Sequence, residues 1–210
     1  MGLIELILAA TWDHSIGITF GALLSLFSLL GMFIVTQDKW YSTQNTILKV
    51  ICFIFYFSLA LVVLLFIIVH FAGMSSPPNS FPTECGPGHQ ENCVRLTDEQ
   101  HFNIPDTYKV PSFATTNQNA LNLVKTWVQK YARTDILYFS NATLHSRFLS
   151  FFFGFPDDFY AQVVCVNHSA RIYLQSQSRL GTGDFGVNLN RVVRFLNFAY
   201  NSTLPQGTCN

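Results

Sequence analysis

The sequence predicts an α+β fold: an antiparallel sheet of about four to five strands with helices packed on one face, preceded by two transmembrane helices. Three observations carry that expectation. Two long stretches of the first third lack Asp, Glu, Lys and Arg; four extended stretches rich in Val, Ile, Phe and Tyr lie between two helical patterns in the remainder; and four of the five cysteines fall after residue 72. Half of the 210 residues are hydrophobic and only 11% are charged, more apolar and less charged than an ordinary soluble domain.

The two uncharged stretches are Ser15 to Thr36 and Val50 to Ala72. At 1.5 Å per residue either reaches ~30 Å, the thickness of bilayer hydrocarbon, so both read as transmembrane helices. Residues 1–14 precede them; these are apolar but contain Glu5 and no Lys or Arg, which fits an interfacial segment better than a cleaved signal peptide. Residues 15–73 then form a transmembrane hairpin. Gly17, Gly21, Ser25 and Ser28 place small side chains along one face of the first span, a pattern that admits close approach of another helix, either the second span or a separate protein.

Lys39 and Lys49, in the connection between the spans, are the only basic residues before Arg95. The positive-inside tendency puts that connection in the cytoplasm and both termini outside it. The expected setting is a two-pass protein of the plasma membrane or an endomembrane, an organelle membrane or viral envelope being the other settings. Asn141, Asn167 and Asn201 open three N-x-[ST] sequons, all beyond the second span, where glycan attachment is expected.

Gly73 to Gly88 is dense in Pro, Ser and Gly, a linker composition; residues 74–84 form the linker and residues 85–210 the outer domain. Its even cysteine count, Cys85, Cys93, Cys165 and Cys209, implies two disulfides, with three connectivities open. The favoured pairs are Cys85 with Cys93, around the turn-rich GPGHQEN, and Cys165 with Cys209, tying the chain end to a strand. A zinc site on Cys85, His89, Cys93 and His101 matches no common finger spacing, so no metal is expected.

Within that domain Asn117 to Tyr131 sets Leu121, Val124, Val128 and Tyr131 at helical spacing. Extended stretches follow at Thr134 to Ser140, Thr143 to Phe153, Phe159 to Asn167 and Ala170 to Gln177. Asn167-His168-Ser169 reads as a hairpin connection. Phe151-Phe152-Phe153 breaks the alternation, as a strand covered on both faces, or one lying at a membrane or partner surface, would. A last helix from about Phe185 to Tyr200 carries Phe185, Leu189, Val192, Leu196 and Ala199 on one stripe. Strands joined by short turns must be antiparallel, and helices flanking consecutive strands make an α+β layout.

The chain's most particular segment is Ser178-Arg179-Leu180-Gly181-Thr182-Gly183-Asp184-Phe185-Gly186-Val187-Asn188-Leu189-Asn190-Arg191. Together with Asn92-Cys93-Val94, with Asp157-Asp158 and with Arg133-Thr134-Asp135, it resembles the family catalogued as domain of unknown function 1499, over about Cys85 to Tyr200. The Cys85 to Cys93 spacing is wider than that pattern. The resemblance implies a fold and no established activity.

Physically, the segment reads as a strand-to-helix joint: Gly181 and Gly183 permit a sharp turn, and Asp184 is placed to accept N–H bonds from the next helix. Asp184, Asn188 and Arg191 fall on one helical stripe. In a structural reading Arg179 and Arg191 pair with Asp157, Asp158 or Asp184 and fix how the last helix docks. In a ligand reading Arg179, Gly181, Gly183, Asp184, Asn188 and Arg191 form a site for a small anion or lipid headgroup at a helix N-terminus.

Zero net charge excludes a nucleic-acid footprint. No nucleophile elbow, P-loop or dinucleotide fingerprint is present, so no catalytic residue and no cofactor is assigned. His145 and His168 read as surface or turn residues. The expected function is a membrane-anchored accessory or structural subunit of a larger membrane assembly, with membrane lipids and membrane proteins as partners. A lipid-headgroup or small-anion binding module is the alternative, and an uncharacterised hydrolase-like enzyme the second.

Overall fold

A computed structural model of the chain describes residue 31 and residues 46–72, 79–86, 91–150 and 154–210. The chain divides into two compact units, Met1–Met74 and Ser75–Asn210.

In the first unit, helix α1 spans Thr46–Ala72 and leaves many apolar side chains, Phe53, Phe55 and Phe57 among them, about half exposed. Gly31 lies against Tyr56, where an added Cβ would collide with the ring. The expectation of two transmembrane helices, and with it the two-pass integral membrane placement with both termini outside the cytoplasm, is corrected: among the described residues no helix is long and apolar enough to cross a membrane. Crossing takes about 20 consecutive apolar residues and ~30 Å of helix. The segment 1–14, the first expected span apart from Gly31, and with it Gly17, Gly21, Ser25 and Ser28, lie outside the described residues.

The second unit is built on one antiparallel sheet with strands β1 (Cys93–Leu96), β2 (His101–Phe102), β3 (Ser112–Phe113), β4 (Thr134–Phe139), β5 (Thr143–Leu149), β6 (Pro156–Val166) and β7 (Ser169–Ser178). Helix α2 (Asn117–Val128) precedes β4, and α3 (Val187–Tyr200) follows β7. The strand order is β2-β1-β7-β6-β5-β4, and β3 also pairs with β7. Seven strands replace the expected four to five. The added ones were silent for a physical reason: β1 is four residues buried without alternation, and β2 and β3 have two residues each, too short to show a period of two.

The long β6–β7 hairpin is the frame. It pairs from Asp157↔Ser178 to Val166↔Ser169 and turns through Asn167 and His168, both at positive φ, 49° and 64°. Two successive left-handed residues form the turn whose twist matches paired strands, and Asn accepts that conformation readily. β7 offers one edge to two partners in succession, β1 along Leu174 to Gln177 and β3 at Ala170 and Arg171.

Helix α2 starts at Thr116, whose hydroxyl accepts the Asn119 N–H, satisfying one of the donors every helix start leaves open. Its buried stripe, with Leu121, Val124 and Trp127, joins Phe195 and Leu196 of α3 in a core against the sheet. Trp127 is the centre, its ring 5.2 Å from Phe159 and 5.3 Å from Phe195. The C-terminal tail is stitched on: Thr115 Oγ1 donates to the Pro205 carbonyl at 2.6 Å and Cys209 N–H to the His168 carbonyl at 3.2 Å.

Both disulfides close in this unit, Cys85 with Cys93 and Cys165 with Cys209. Cys52 is free. The oxidised Cys85–Cys93 pair has no thiolates to give a zinc ion, and among the described residues no group of metal-ligating side chains forms; His89 lies outside them. The Phe151-Phe152-Phe153 run also lies outside.

Candidate functional site

The distinctive segment closes the sheet at the point where β7 hands over to α3. Gly181 (φ 83°), Phe185 (φ 52°) and Gly186 (φ 77°) all take left-handed backbone, costly for any residue with a Cβ. These reversals delay the helix to Val187, two residues later than its apolar stripe suggests. Asp184 holds the turn: one carboxylate oxygen accepts the Gly186 N–H at 2.9 Å, the other the Asn188 N–H at 2.7 Å. The anion at this helix start is therefore the chain's own carboxylate.

Asn188 is wholly buried with every side-chain polar position used. Its Nδ2 donates to the Asn92 carbonyl at 2.8 Å and to Ser178 Oγ at 3.0 Å, and its Oδ1 accepts from Ser176 Oγ at 2.6 Å and from Arg191. Asn92, also fully buried, donates to the Gly181 carbonyl at 2.6 Å. The two sequence elements, Asn92-Cys93-Val94 and the segment from Ser178, thus meet in one network. Gly183 is bridged to Glu91.

The neighbouring carboxylates of β6 part company here, because adjacent strand residues face opposite sides of a sheet. Asp157 points to the helix side and accepts from Arg191 at 2.7 Å; Arg191 also donates to Ser176 Oγ at 2.9 Å and lies over the Phe148 ring, 4.6 Å from its centroid. Asp158 points to the other side and accepts two bonds from Arg179, from Nε at 2.8 Å and from Nη2 at 2.7 Å, a two-pronged guanidinium grip. The segment's two arginines therefore hold the two carboxylates from opposite faces.

Asp158 has a second partner that sequence reasoning missed. His145, expected at the surface or in a turn, is wholly buried on β5, its Nε2 donating to Asp158 Oδ1 at 2.6 Å and its ring stacked on Tyr160 at 4.1 Å. Its Nδ1 is buried with no hydrogen-bond partner among the described residues. The signal lay in His145 and Arg147 standing two apart in a strand, on the face that Asp158 shares across the β5–β6 pairing. His168 is exposed in its turn. Burial works to raise the Asp158 pKa, but the hydrogen bonds and charges of His145 and Arg179 outweigh it and hold the carboxyl below its ordinary value. Burial, with the Asp158 charge beside it, pushes the Tyr160 phenol up.

Beside Arg191 a cleft of about 240 Å³ opens between α3, the end of α2 and β5, lined by Trp127, Tyr131, Phe148, Val187, Asn190, Arg191 and Arg194. A broader depression lies on Val128, Gln129, Tyr131, Thr134, Asp135 and Ile136. Neither reaches His145. The sequon residues Asn141, Asn167 and Asn201 are all exposed, the first two in strand turns and the third just past α3.

The fold and this network define a small disulfide-tied α+β domain whose sheet is locked at one end by two opposed ion pairs. The chain belongs to the family described as Protein of unknown function (DUF1499), whose model matches residues 78–198. No curated protein matches the chain.

Proposed function

We propose that the chain is an accessory or structural subunit of a larger assembly, acting through contacts of its folded domain and not through chemistry. The observation that carries the reading is the engagement of both arginines of the distinctive segment by buried carboxylates, Arg179 by Asp158 and Arg191 by Asp157. Breaking such a pair strands a charge in the interior, so its role is to hold structure. The same turn that buries these charges leaves Phe185 fully exposed at positive φ. An aromatic side chain held out at a conformational cost fits a contact residue, since aromatics anchor interfaces and backbone strain collects at functional positions.

Native mass spectrometry of the gently solubilised complex tests the reading. A stoichiometric protein partner, lost on Phe185→Asn while the domain stays folded, is the expected result. A chain that is recovered alone, with or without Phe185, overturns it.

A further inference from the structure

We propose that the cleft between α2 and α3 binds a small amphipathic carboxylate, an aromatic or aliphatic apolar body with one anionic end. The inference stands apart from the subunit reading, since it uses neither Phe185 nor a protein partner. Its basis is the division of the lining into an apolar floor and a cationic rim. Trp127 and Phe148 are buried side chains that present ring surface to the cleft, the kind of wall that takes a flat or chain-like apolar group. Val187, Asn190, Arg191 and Arg194 stand at i, i+3, i+4 and i+7 of α3, one stripe of the helix along the cleft.

The charges on that stripe are unequal. Arg191 is neutralised by Asp157, while Arg194 is exposed and has no ion-pair partner among the described residues. The rim thus carries one uncompensated guanidinium, a strong donor for a carboxylate, with the Asn190 amide one position before Arg191. A cavity of about 240 Å³ lies just under the ~300–1,000 Å³ usual for small-molecule sites. That size suits a compact acid or the head and first carbons of a fatty acid.

The test is calorimetric titration of the full chain with phenylacetate, decanoate, benzyl alcohol and inorganic phosphate, repeated on Arg194→Ala and on Val187→Glu, which sets a like charge at the rim. Saturable binding of phenylacetate or decanoate at about 1 mM or tighter is expected, with benzyl alcohol and phosphate much weaker. Each variant should weaken it at least about tenfold, the size of a lost charge-assisted hydrogen bond, with the melting temperature unchanged. The tighter of the two acids separates a soluble aromatic source from a lipid one. Absence of saturable binding by both acids, equal binding of benzyl alcohol, or undiminished binding by both variants overturns the proposal.

Discussion

Asp157 and Asp158 illustrate how much one position along a strand decides. They are chemically identical and adjacent, yet one belongs to the helix side of the sheet and the other to the opposite side, each with its own arginine. Arg179→Ala and Arg191→Ala are each expected to destabilise the domain by about 3–5 kcal/mol, because each leaves a buried carboxylate unpaired. Arg194→Ala, at an exposed position, should stay within about 0.5 kcal/mol. Urea unfolding of the three variants provides the comparison, and three equal small effects would contradict the account. Asp158 also sets a pH dependence. Its folded pKa is depressed, so its contribution is fully present above the unfolded value of about 3.9 and is lost as the pH falls through the folded value. Asp158→Asn should therefore be less stable than the parent at neutral pH and show a flatter decline below about pH 4, as read from unfolding curves across the acid range. Both aspartates and both arginines were conspicuous in the sequence, but their partners were not, since three carboxylates were within reach of either arginine. His145 was hidden because the face it shares with Arg147 and Asp158 follows from the β5–β6 register, without which the spacing of two does not reveal burial.

Elements show the same division between what is local and what is not. β4 to β7 stand where stretches of β-branched and aromatic residues separated by turn residues pointed, and α2 begins at Asn117, behind a threonine able to cap it. α3 was misread by two residues because its apolar stripe continues through Phe185, while the backbone turns left-handed there. Helical spacing reports a stripe; it does not report φ. Asp184→Ala removes the acceptor of two N–H groups at the start of α3 and should cost about 1 kcal/mol or somewhat more. Gly186→Ala should cost about 1–2 kcal/mol, since a Cβ is unfavourable at φ 77° whatever the space around it. Phe185→Asn should leave stability unchanged or slightly raised, because the ring buries nothing and Asn tolerates this conformation better. Thermal melts of the three variants separate these outcomes, and a large loss at Phe185 would show that the ring has intramolecular contacts.

For the whole domain, the disulfides close loops of very different length, with a sequence separation of 8 for Cys85–Cys93 and 44 for Cys165–Cys209. Constraint of the unfolded chain grows with the logarithm of loop length, giving roughly 2.5 and 4 kcal/mol respectively. Replacing Cys165 and Cys209 together by Ala should therefore lower unfolding free energy more than replacing Cys85 and Cys93, as denaturant titration would register. The reverse order would mean that the short loop is held for reasons other than chain entropy. The Cys165–Cys209 bond also pins the tail, which passes so close to the start of α2 that a Cβ at Gly207 would sit 2.9 Å from Thr116 Cγ2. Gly207 is thus a close-approach glycine, a role invisible until the tail and Thr116 are seen side by side.

By itself the sequence determined what depends on near neighbours along the chain. It located the long strands through their composition, the β6–β7 hairpin through Asn167 and His168, and the family through the segment from Ser178 to Arg191, and its cysteines called for disulfide bonding. Tertiary structure alone decided the rest. It added β1 and β3, which pair with β7, and β2, which pairs with β1; none of the three shows a pattern of its own. It assigned Arg179 to Asp158 and Arg191 to Asp157, because which face a strand residue takes is set by its cross-strand register. Apolar composition, likewise, had pointed to membrane spans, but among the described residues no helix is long and apolar enough to cross a membrane. Local propensity is a sum over adjacent residues, whereas register, burial and charge pairing depend on groups up to 96 positions apart, as Asn92 and Asn188 are, which only the folded chain brings together.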